Sequence, residues 1–400
     1  MNKLRFFTAG ESHGPALIGL LDGIPAGLPL AQDDIDKELR RRQGGYGRGG
    51  RMKIEQDSAT ILSGVRWGKT LGSPITLQIM NRDYQNWIAG MSADAGHEGA
   101  IAAVTRPRPG HADLAGALKY AHTDVRNILE RSSARETAAR VALGAVAKRV
   151  LAEFSVSIGS YVTRIGSAAM PPCDGLDISH DFFATVEASP VRCPDPKTAQ
   201  KMMKVIDTAM RKGDSVGGTF SVIASGLPAG LGSHVQWDAK LDARLAYAVM
   251  SIQAIKGVEI GLGFGAAEQF GSEVMDEILP RRKGAKAASL HGSCKYIRET
   301  NRAGGIEGGM TNGMPVVMNA AMKPIPTLRK PLRSVDLRTG KPIEAAYERS
   351  DTCAVPAAAV VGEAMVALVL ADAMLEKFGG DSLAETRRNF DSYLAQTQAR

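Results

Sequence analysis

The chain has 400 residues, of which 44% are hydrophobic and 23% are charged, a composition close to the globular average. This composition excludes a disordered, collagen-like or coiled-coil protein. Lys and Arg number 49 against 42 Asp and Glu, so the net charge of +7 favours an anionic partner. The length exceeds that of a usual single domain, so we expect either several domains or one large core with internal duplication.

Cysteine usage indicates a reducing compartment. The four cysteines are too sparse for a disulfide framework, and none forms a C-x-x-C pair that would suggest zinc or redox chemistry. They are Cys173, Cys193, Cys294 and Cys353. We therefore expect reduced thiols in a cytoplasmic protein.

The sequence predicts neither a secretory leader nor a membrane span. Glu11 and His13 stand where a signal peptide would carry its apolar run. The most apolar stretch, residues 353–375, contains Glu363 and Asp372, and its uninterrupted part is far shorter than a bilayer requires. We expect this stretch to form a buried helix.

Glycines are abundant but scattered, and no low-complexity linker divides the chain, so we expect one unit over residues 1–400. Hydrophobic periodicity predicts helices interleaved with short strands, which indicates a mixed α and β protein. In chain order the main predicted elements are helix Asp33–Arg42, strand Thr76–Ile79, helix Ser132–Leu151, strand Phe220–Ala224, strand Val316–Met318 and helix Ala357–Leu375.

A repeat offset by 218 residues suggests two related halves. An Arg-Ser pair opens a predicted Ala-rich helix in each half, and a basic proline segment precedes each pair by 25 or 26 residues. Ala-rich helices also share positions by composition alone, so chance similarity stays the alternative. The matched positions are Arg131 with Arg349, Ser132 with Ser350, Ala139 with Ala357, Gly144 with Gly362, and segment 106–109 with 323–326.

Residues 10–14 form a G-x-S-x-G sequence, which in α/β-hydrolases marks the nucleophile elbow. Only nine residues precede Gly10, too few for the strands that a hydrolase places before its nucleophile. Two interpretations stay open here. One is a polar turn after the first strand, and the other is an anion-handling loop in which Ser12 and His13 face a substrate.

The segment 40–51 carries five arginines among glycines, a pattern suited to bidentate binding of phosphate or carboxylate. It contains a G-x-G-x-x-G sequence, but the preceding stretch is charged, so a dinucleotide-binding turn is disfavoured. A second candidate for such a turn is 261–266, which follows a possible strand. A solvated basic loop or an RNA-binding patch is the alternative, although Tyr46 is the only aromatic residue here.

Residues 106–113 join two arginines to His111 and Asp113 on a stretch that its prolines keep from being helical. His111 and Asp113 are candidates for an oriented acid–base pair. The histidines show no H-E-x-x-H spacing, so no metal site is expected. Together with the two Arg-Ser segments, whose serines suggest anion-binding helix starts, these features predict a site for a small polyanion.

At this point the chain strongly resembles the chorismate synthase family over nearly its whole length. Several long collinear segments carry the resemblance, which makes chance similarity negligible. They are GESHG from Gly10, RRQGGYGRGGRMKIEQD from Arg41, RPRPGHAD from Arg106, ERSSARETAARVA from Glu130, QAIKG from Gln253, EGGMTNGMP from Glu307, KPIPT from Lys323 and ERSDTC from Glu348.

The resemblance implies a lyase that eliminates phosphate from 5-enolpyruvylshikimate 3-phosphate by a 1,4-anti route. Chorismate, the product, ends the common part of the shikimate pathway of aromatic amino acid biosynthesis. The family requires reduced FMN and is associated with FAD and NADP; either NADPH or an external flavin reductase supplies the electrons. The resemblance also implies a cytoplasmic homotetramer with a small-molecule substrate and neither nucleic acid nor a membrane as a partner.

Site residues follow from the resemblance motif by motif. His13 resembles the acid that protonates the departing phosphate, His111 the acid near flavin N1, and Asp351 the carboxylate that works with flavin N5 in removing the C6 proton. The implied substrate-binding residues are Ser12, Arg42, Arg48, Arg51, Arg108, Arg135 and Arg349. The implied cofactor-binding residues are Arg42, Arg48, Arg131, Ser132, Ser133, Gln253, Ala254, Gly308, Lys323, Pro324, Ile325, Pro326, Thr327 and Arg349; no metal ligand is implied.

The implied fold is α+β, a β-α-β sandwich with a helical layer between antiparallel sheets, and the repeat described above adds an internal duplication. Two other functions compete with this interpretation. A serine hydrolase would use Ser12, a downstream aspartate and His291. An RNA- or polyphosphate-binding protein would use the arginines of 40–51 and lose affinity steeply with salt.

Overall fold

The computed structural model of the chain describes residues 3–49, 56–171, 180–280, 296–348 and 350–399. Several sequence-predicted residues therefore lie outside the described residues: Arg51, Cys173, His291, Cys294 and Arg349.

Helices are numbered in chain order. They are α1 Gln32–Gln43, α2 Asp113–Tyr120, α3 Arg126–Ser132, α4 Thr137–Glu153, α5 His180–Ala188, α6 Pro196–Lys212, α7 Leu241–Met250, α8 Gly271–Val274, α9 Val355–Phe378 and α10 Leu383–Ala399. Short 3-10 helices span Arg82–Asn86, Ala95–His97, Ala134–Glu136, Trp237–Ala239 and Gly263–Glu268.

Strands are numbered in the same way. They are β1 Arg5–Ala9, β2 Ala16–Asp22, β3 Ala59–Ser63, β4 Val65–Arg66, β5 Lys69–Thr70, β6 Ile75–Met80, β7 Ser157–Ile165, β8 Ala168–Ala169, β9 Gly218–Ser225, β10 Ile255–Ile260, β11 Leu279–Pro280, β12 Tyr296–Ile297, β13 Ile306–Glu307, β14 Met310–Thr311, β15 Val316–Met322, β16 Arg333–Val335 and β17 Pro342–Glu344.

Two antiparallel sheets contain the long strands. The first has the order β1-β2-β6-β3, and the second has the order β10-β15-β9-β7-β8. Alternate residues of each strand face inward, as the period of two in a pleated strand requires. Thus Leu17 pairs with Ile79 and Leu21 with Ile75, and all four are buried.

The two sheets are built in the same way, which confirms the predicted duplication. In each half the first two long strands pair, a helix follows the second strand, and the fourth strand lies between the second and the third. The corresponding elements, in chain order, are β1, β2, α1, β3, β6 and α4 in the first half. In the second half they are β7, β9, α7, β10, β15 and α9. Each therefore ends in its own long helix, as the matched Ala-rich segments indicated.

Helices α4 and α9 pack against each other between the sheets. Gly19 of β2 lies against Leu143 of α4, and Gly362 of α9 lies against Phe220 of β9. One core cluster runs from Leu4 to Phe390. A helix that is covered on every side must be apolar on every side, which explains the composition of α9. Helix α9 is also long and apolar enough to cross a membrane, yet 94% of its most apolar window is buried inside the protein.

The predicted α+β class and each of the six predicted elements are present, but the helix starts predicted at Ser132 and Ser350 were wrong. The helix predicted from Ser132 begins at Thr137, because Arg131 and Ser132 form the last turn of α3. Ser133 is extended, with φ −62° and ψ 142°, and its hydroxyl accepts the N–H of Arg135. Ser350 likewise precedes α9 by several residues, so the helix start predicted at this serine was also wrong.

The crossing of α4 and α9 generates a stability prediction. A Cβ placed on Gly144 would lie 2.4 Å from Ala364 Cβ and 2.6 Å from its Cα, so the helices must separate to accept a side chain. We expect Gly144→Val to lower the free energy of unfolding by about 1–3 kcal/mol or more, measured by urea denaturation.

The matched control is Gly265→Ala, because a Cβ there meets nothing within 4 Å. That variant should stay within about 0.5 kcal/mol of the wild type. Equal stability of the two variants would contradict the close crossing.

Candidate functional site

A cavity of about 470 Å³ lies at one end of the helical layer and is lined by both halves of the chain. Its walls come from the loop after β1, the end of α1, the 3-10 helix at 82–86, the segments around α3 and β10, and the first turns of α9. This volume is in the range of small-molecule sites.

Most of the residues that the sequence analysis assigned to one site do line this cavity. They are Ser12, His13, Arg42, Arg48, Arg108, His111, Ser132, Ser133, Arg135, Gln253, Ala254, Lys323, Ile325, Pro326, Thr327 and Asp351. Three others lie outside the lining. Pro324 is exposed, Gly308 forms the turn between β13 and β14, and Arg131 donates to the carbonyl oxygens of Thr8 and Gly10.

His13 is held on several sides. Its Nδ1 lies 2.8 Å from Glu130 Oε1, and its backbone N–H donates to Glu130 Oε2 at 2.8 Å. The ring stacks on Trp87 with a centroid separation of 4.3 Å, and Nε2 lies 3.9 Å from Asp83 Oδ2. The imidazole is therefore oriented before any ligand binds.

The loop that carries His13 depends on Gly10. Its φ is +103°, and a Cβ would lie 2.3 Å from the carbonyl oxygen of Ala16, so no other residue fits. Asn81 donates to the carbonyl oxygens of Glu11 and Gly14 and fixes the rest of the turn.

His111 forms the pair that the sequence predicted. Its Nδ1 lies 2.5 Å from Asp113 Oδ1, while Arg108 contacts Asp113 through Nε at 2.8 Å and Nη2 at 3.1 Å. Burial raises the pKa of the Asp113 carboxyl, but the hydrogen bonds from His111 and Arg108 outweigh burial and hold it below its ordinary range. Asp113 is therefore an ionised, acceptor-only partner of the ring.

The two basic proline segments meet beside His111. Arg108 donates to Thr327 Oγ1 at 3.0 Å, and Lys323 Nζ donates to the carbonyl oxygen of Gly110 at 2.9 Å. The segments that the repeat aligned are thus in contact across the two halves.

Asp351 joins the C-terminal half to the Gly-Arg loop of the first half. Its Oδ1 accepts the N–H of Gly49 at 2.6 Å, and its Oδ2 lies 2.8 Å from Arg48 Nη1. Thr352 adds a backbone hydrogen bond to the carbonyl oxygen of Gly47 at 2.9 Å. The carboxylate is thereby fixed at the cavity wall.

Two buried arginines share one carboxylate. Arg42 Nη1 lies 3.2 Å from Asp57 Oδ2, and Arg135 Nη1 lies 2.5 Å from Asp57 Oδ1. Burial, the largest cause, lowers the pKa of Arg42 to about 10, so it stays protonated at neutral pH. One negative charge thus faces two positive charges, which leaves the wall positive and suited to an anion.

The competing functions do not fit these positions. Ser12 lies between the antiparallel strands β1 and β2, not at the strand-to-helix turn of a hydrolase elbow. Arg41 of the basic segment pairs with the buried Glu363, and Arg42 is itself buried, so neither offers a surface to RNA. The second glycine-rich candidate, 261–266, follows a strand of an antiparallel sheet, which excludes a dinucleotide-binding turn.

Sequence reasoning missed the residues that hold the functional side chains in place. These are Asp57, Asn81, Asp83, Trp87, Arg126, Glu130 and Glu136. Asp57, Glu130 and Glu136 stand inside motifs that carried the resemblance, which was their only available signal. Within the described ranges, no group of three His, Cys, Asp or Glu side chains could hold a metal ion.

Comparisons with known proteins agree on one family. A sequence profile described as chorismate synthase matches residues 4–375. The chain is 59% identical over 392 residues to the chorismate synthase of Trichlorobacter lovleyi, covering 98% of this chain and 99% of that protein. It is 59% identical over 397 residues to that of Geobacter sulfurreducens, covering 99% and 100%. A crystal structure of a chorismate synthase is similar with a TM-score of 0.79, 46% identity and 99% coverage of both chains.

The buried carboxylates predict how stability depends on pH. A carboxyl whose pKa is lowered on folding stabilises the fold fully above its unfolded pKa, and this contribution is lost as pH falls toward the folded value. The ordinary pKa of the Asp113 carboxyl is 3.8. Its contribution to the free energy of unfolding should therefore be complete at neutral pH and decrease below about pH 4.5. The acid limb of the stability curve is the fall in the free energy of unfolding as the pH is lowered. We expect Asp113→Asn to flatten this acid limb, measured by urea denaturation between pH 3 and pH 7.

Asp33→Asn is the matched control, because the Asp33 side chain is 83% exposed in a surface ion pair with Arg40. It should keep the acid limb of the wild type. An acid limb in Asp113→Asn as steep as in the wild type would contradict the assignment.

Proposed function

Because the chain belongs to the chorismate synthase family of lyases, which form chorismate in the shikimate pathway, we propose how its cavity performs this reaction. The proposed reaction is 1,4-anti elimination of phosphate from 5-enolpyruvylshikimate 3-phosphate with reduced FMN bound. One observation carries the proposal: His13, His111 and Asp351 line the same cavity as four arginines.

The proposed substrate carries two carboxylates and a phosphate, and the cavity offers matching charges. Arg42, Arg48, Arg108 and Arg135 all line it. Removing such a polyanion from water is prohibitive unless each charge meets a cationic hydrogen-bond donor. Guanidinium groups supply paired donors in a fixed geometry, so we assign substrate binding to these side chains and to Ser12. Arg51 and Arg349 belong to the same proposal by their motifs.

A flavin would fit the side of the cavity around Gln253. The Gln253 Oε1 is buried and has no hydrogen-bond partner among the residues that the structure describes, while its Nε2 donates to Glu136 at 3.1 Å. This leaves an acceptor for a ring N–H, and Ile252, Met322 and Pro326 provide apolar lining beside it. We propose that Ser132, Ser133, Gln253, Ala254 and residues 323–327 hold the cofactor. When bound, reduced FMN supplies transient electron or proton exchange without net redox change.

The side chains around the substrate have separate tasks. His13 donates a proton to the phosphate oxygen as the C–O bond breaks, and the charge of Glu130 stabilises its protonated ring. Asp351, held by Gly49 and Arg48, assists removal of the C6 proton. His111 is the second acid, with Asp113 fixing its Nδ1. The arginines that surround the bound anion exclude water from the departing phosphate.

We further propose one catalytic domain, 1–400, assembled as a cytoplasmic homotetramer. The main core cluster, which contains residues of both halves, supports one domain. Exposed aromatic side chains on and beside α7 and β10 support an assembly that covers them: Trp237, Tyr247, Phe264 and Phe270. For the electrons we favour an external flavin reductase over NADPH. The first glycine-rich candidate follows helix α1 and the second follows a strand of an antiparallel sheet, so neither is a dinucleotide-binding turn.

The proposal is tested by phosphate release under anaerobic conditions, with dithionite-reduced or oxidised FMN. We expect release and chorismate formation with reduced FMN only. Folded protein that releases no phosphate with either form would contradict the proposed reaction.

The two histidines generate a paired prediction. His13→Ala and His111→Ala should each lower kcat by about 10²-fold or more, because each removes a proton donor. Flavin binding, followed by fluorescence quenching of FMN, should change little in both. Wild-type turnover in either variant would remove that histidine from the mechanism.

Asp351 generates a separate prediction. Asp351→Asn keeps a side-chain acceptor for the Gly49 N–H but loses the negative charge, so the substrate should bind while elimination is slow. Calorimetric titration with the substrate and single-turnover rates separate these effects. Normal single-turnover rates would assign the base role to another group.

A further inference from the structure

Two histidines of the cavity have the same kind of support. His111 has its Nδ1 on Asp113, which Arg108 also contacts. His13 has its Nδ1 on Glu130, which Arg126 contacts through Nη1 at 3.2 Å. Both carboxylates are buried, with side chains 1% and 2% exposed. Only the first pair is visible as a short sequence motif, since His13 and Glu130 are 117 residues apart.

Glu130 holds the backbone as well as the ring of the histidine loop. Its carboxylate accepts the N–H of His13 at 2.8 Å, and its carbonyl oxygen accepts the N–H of Ser12 at 3.1 Å. Three contacts from one residue thus set the position of the loop relative to α3. An exchange that only loosened the loop would misplace Ser12 together with His13.

Because Nδ1 is bound to Glu130, we assign proton donation to Nε2. Trp87 stacks on one face of the ring, with Arg126 Cζ 4.7 Å from the Trp87 centroid. Asp83 Oδ2 lies 3.9 Å from Nε2, beyond hydrogen-bond distance. Among the residues that the structure describes, the charged or titratable groups near His13 include Glu130 and Arg126 from α3 and Asp83 from the 3-10 helix at 82–86.

We propose that Glu130 is a positioning residue for His13, an inference that rests on the proposed role of His13 as the acid for phosphate departure. Its carboxylate keeps a proton on Nδ1 and balances the charge of the doubly protonated ring. The proton on Nε2 then passes to the phosphate oxygen as the C–O electron pair leaves with phosphate. The ring ends neutral with Nδ1–H still bound to Glu130, and Glu130 stays ionised throughout.

The electrostatics of Glu130 agree with an acceptor-only role. Burial raises the pKa of its carboxyl, but the hydrogen bonds and charge of His13, with the charge of Arg126, outweigh burial and lower the pKa overall. An ionised carboxylate can only accept, so it selects the Nδ1–H form of a neutral imidazole.

The inference is tested with Glu130→Ala and Glu130→Gln. The alanine variant loses the acceptor and the charge, and we expect kcat to fall by about 10²-fold with little change in KM. The glutamine variant keeps an oxygen that accepts Nδ1–H, so it should recover part of this loss. A rise in KM alone, or an equal loss in both variants, would overturn the positioning role.

A second readout is independent of turnover. The ¹⁵N chemical shifts of the His13 ring, in the substrate-free protein, report which nitrogen carries the proton. At a pH high enough for the ring to be neutral, we expect the Nδ1–H form in the wild type and in Glu130→Gln, and a shift toward Nε2–H in Glu130→Ala. Asp113→Asn is the matched control, because it removes the partner of His111 and should leave the His13 shifts unchanged.

These readouts separate the inference from the proposed function. Full activity of His13→Ala would refute the acid role of His13, yet the tautomer of the wild-type ring would still report the contact with Glu130. An Nδ1–H form that persists in Glu130→Ala would overturn the inference even if His13→Ala were inactive. If the alanine variant does not fold, the glutamine variant decides: wild-type kcat there would show that the charge of Glu130 is dispensable and contradict the proposal.

Discussion

The close crossing of α4 and α9 at Gly144 and Ala364 is the contact on which the rest of the structure depends. Each helix ends one of the two related halves, so their contact brings the ends of both halves together. The cavity forms beside the first turns of both helices, and neither half alone contains its walls. Duplication thus places the two basic proline segments, and the loops carrying His13 and Asp351, around one volume. If α4 and α9 separated, the cavity would widen and the core would lose stability at the same time.

Charge compensation is the second constraint. Burying arginines costs free energy unless carboxylates accompany them, and here each carboxylate also orients a group at the cavity. Asp57 holds Arg42 and Arg135, Asp113 holds Arg108 and His111, and Glu130 holds Arg126 and His13. The supporting acids are thus fixed in place, while the substrate would supply the remaining negative charge. The cavity is organised electrostatically before it is filled.

The sequence predicted three of the long helices, three long strands and about half of the residues that line the cavity, because periodicity and local motifs are short-range signals. It missed the start of α4, where the extended backbone of Ser133 divides one apparent helix into two. It also missed Trp87, Asp57 and Glu130, whose partners are distant in sequence. Such contacts follow from strand order and helix packing, which no single segment encodes. His111 and Asp113 were found because they are two residues apart.

The most direct measurement is a crystal structure of the chain with 5-enolpyruvylshikimate 3-phosphate and oxidised FMN, which holds the complex before reaction. The account predicts both ligands in the cavity between the two halves, the phosphate within hydrogen-bond distance of His13 Nε2 and the flavin beside Gln253. Substrate bound outside this cavity, or a phosphate remote from His13 with both ligands in place, would contradict it.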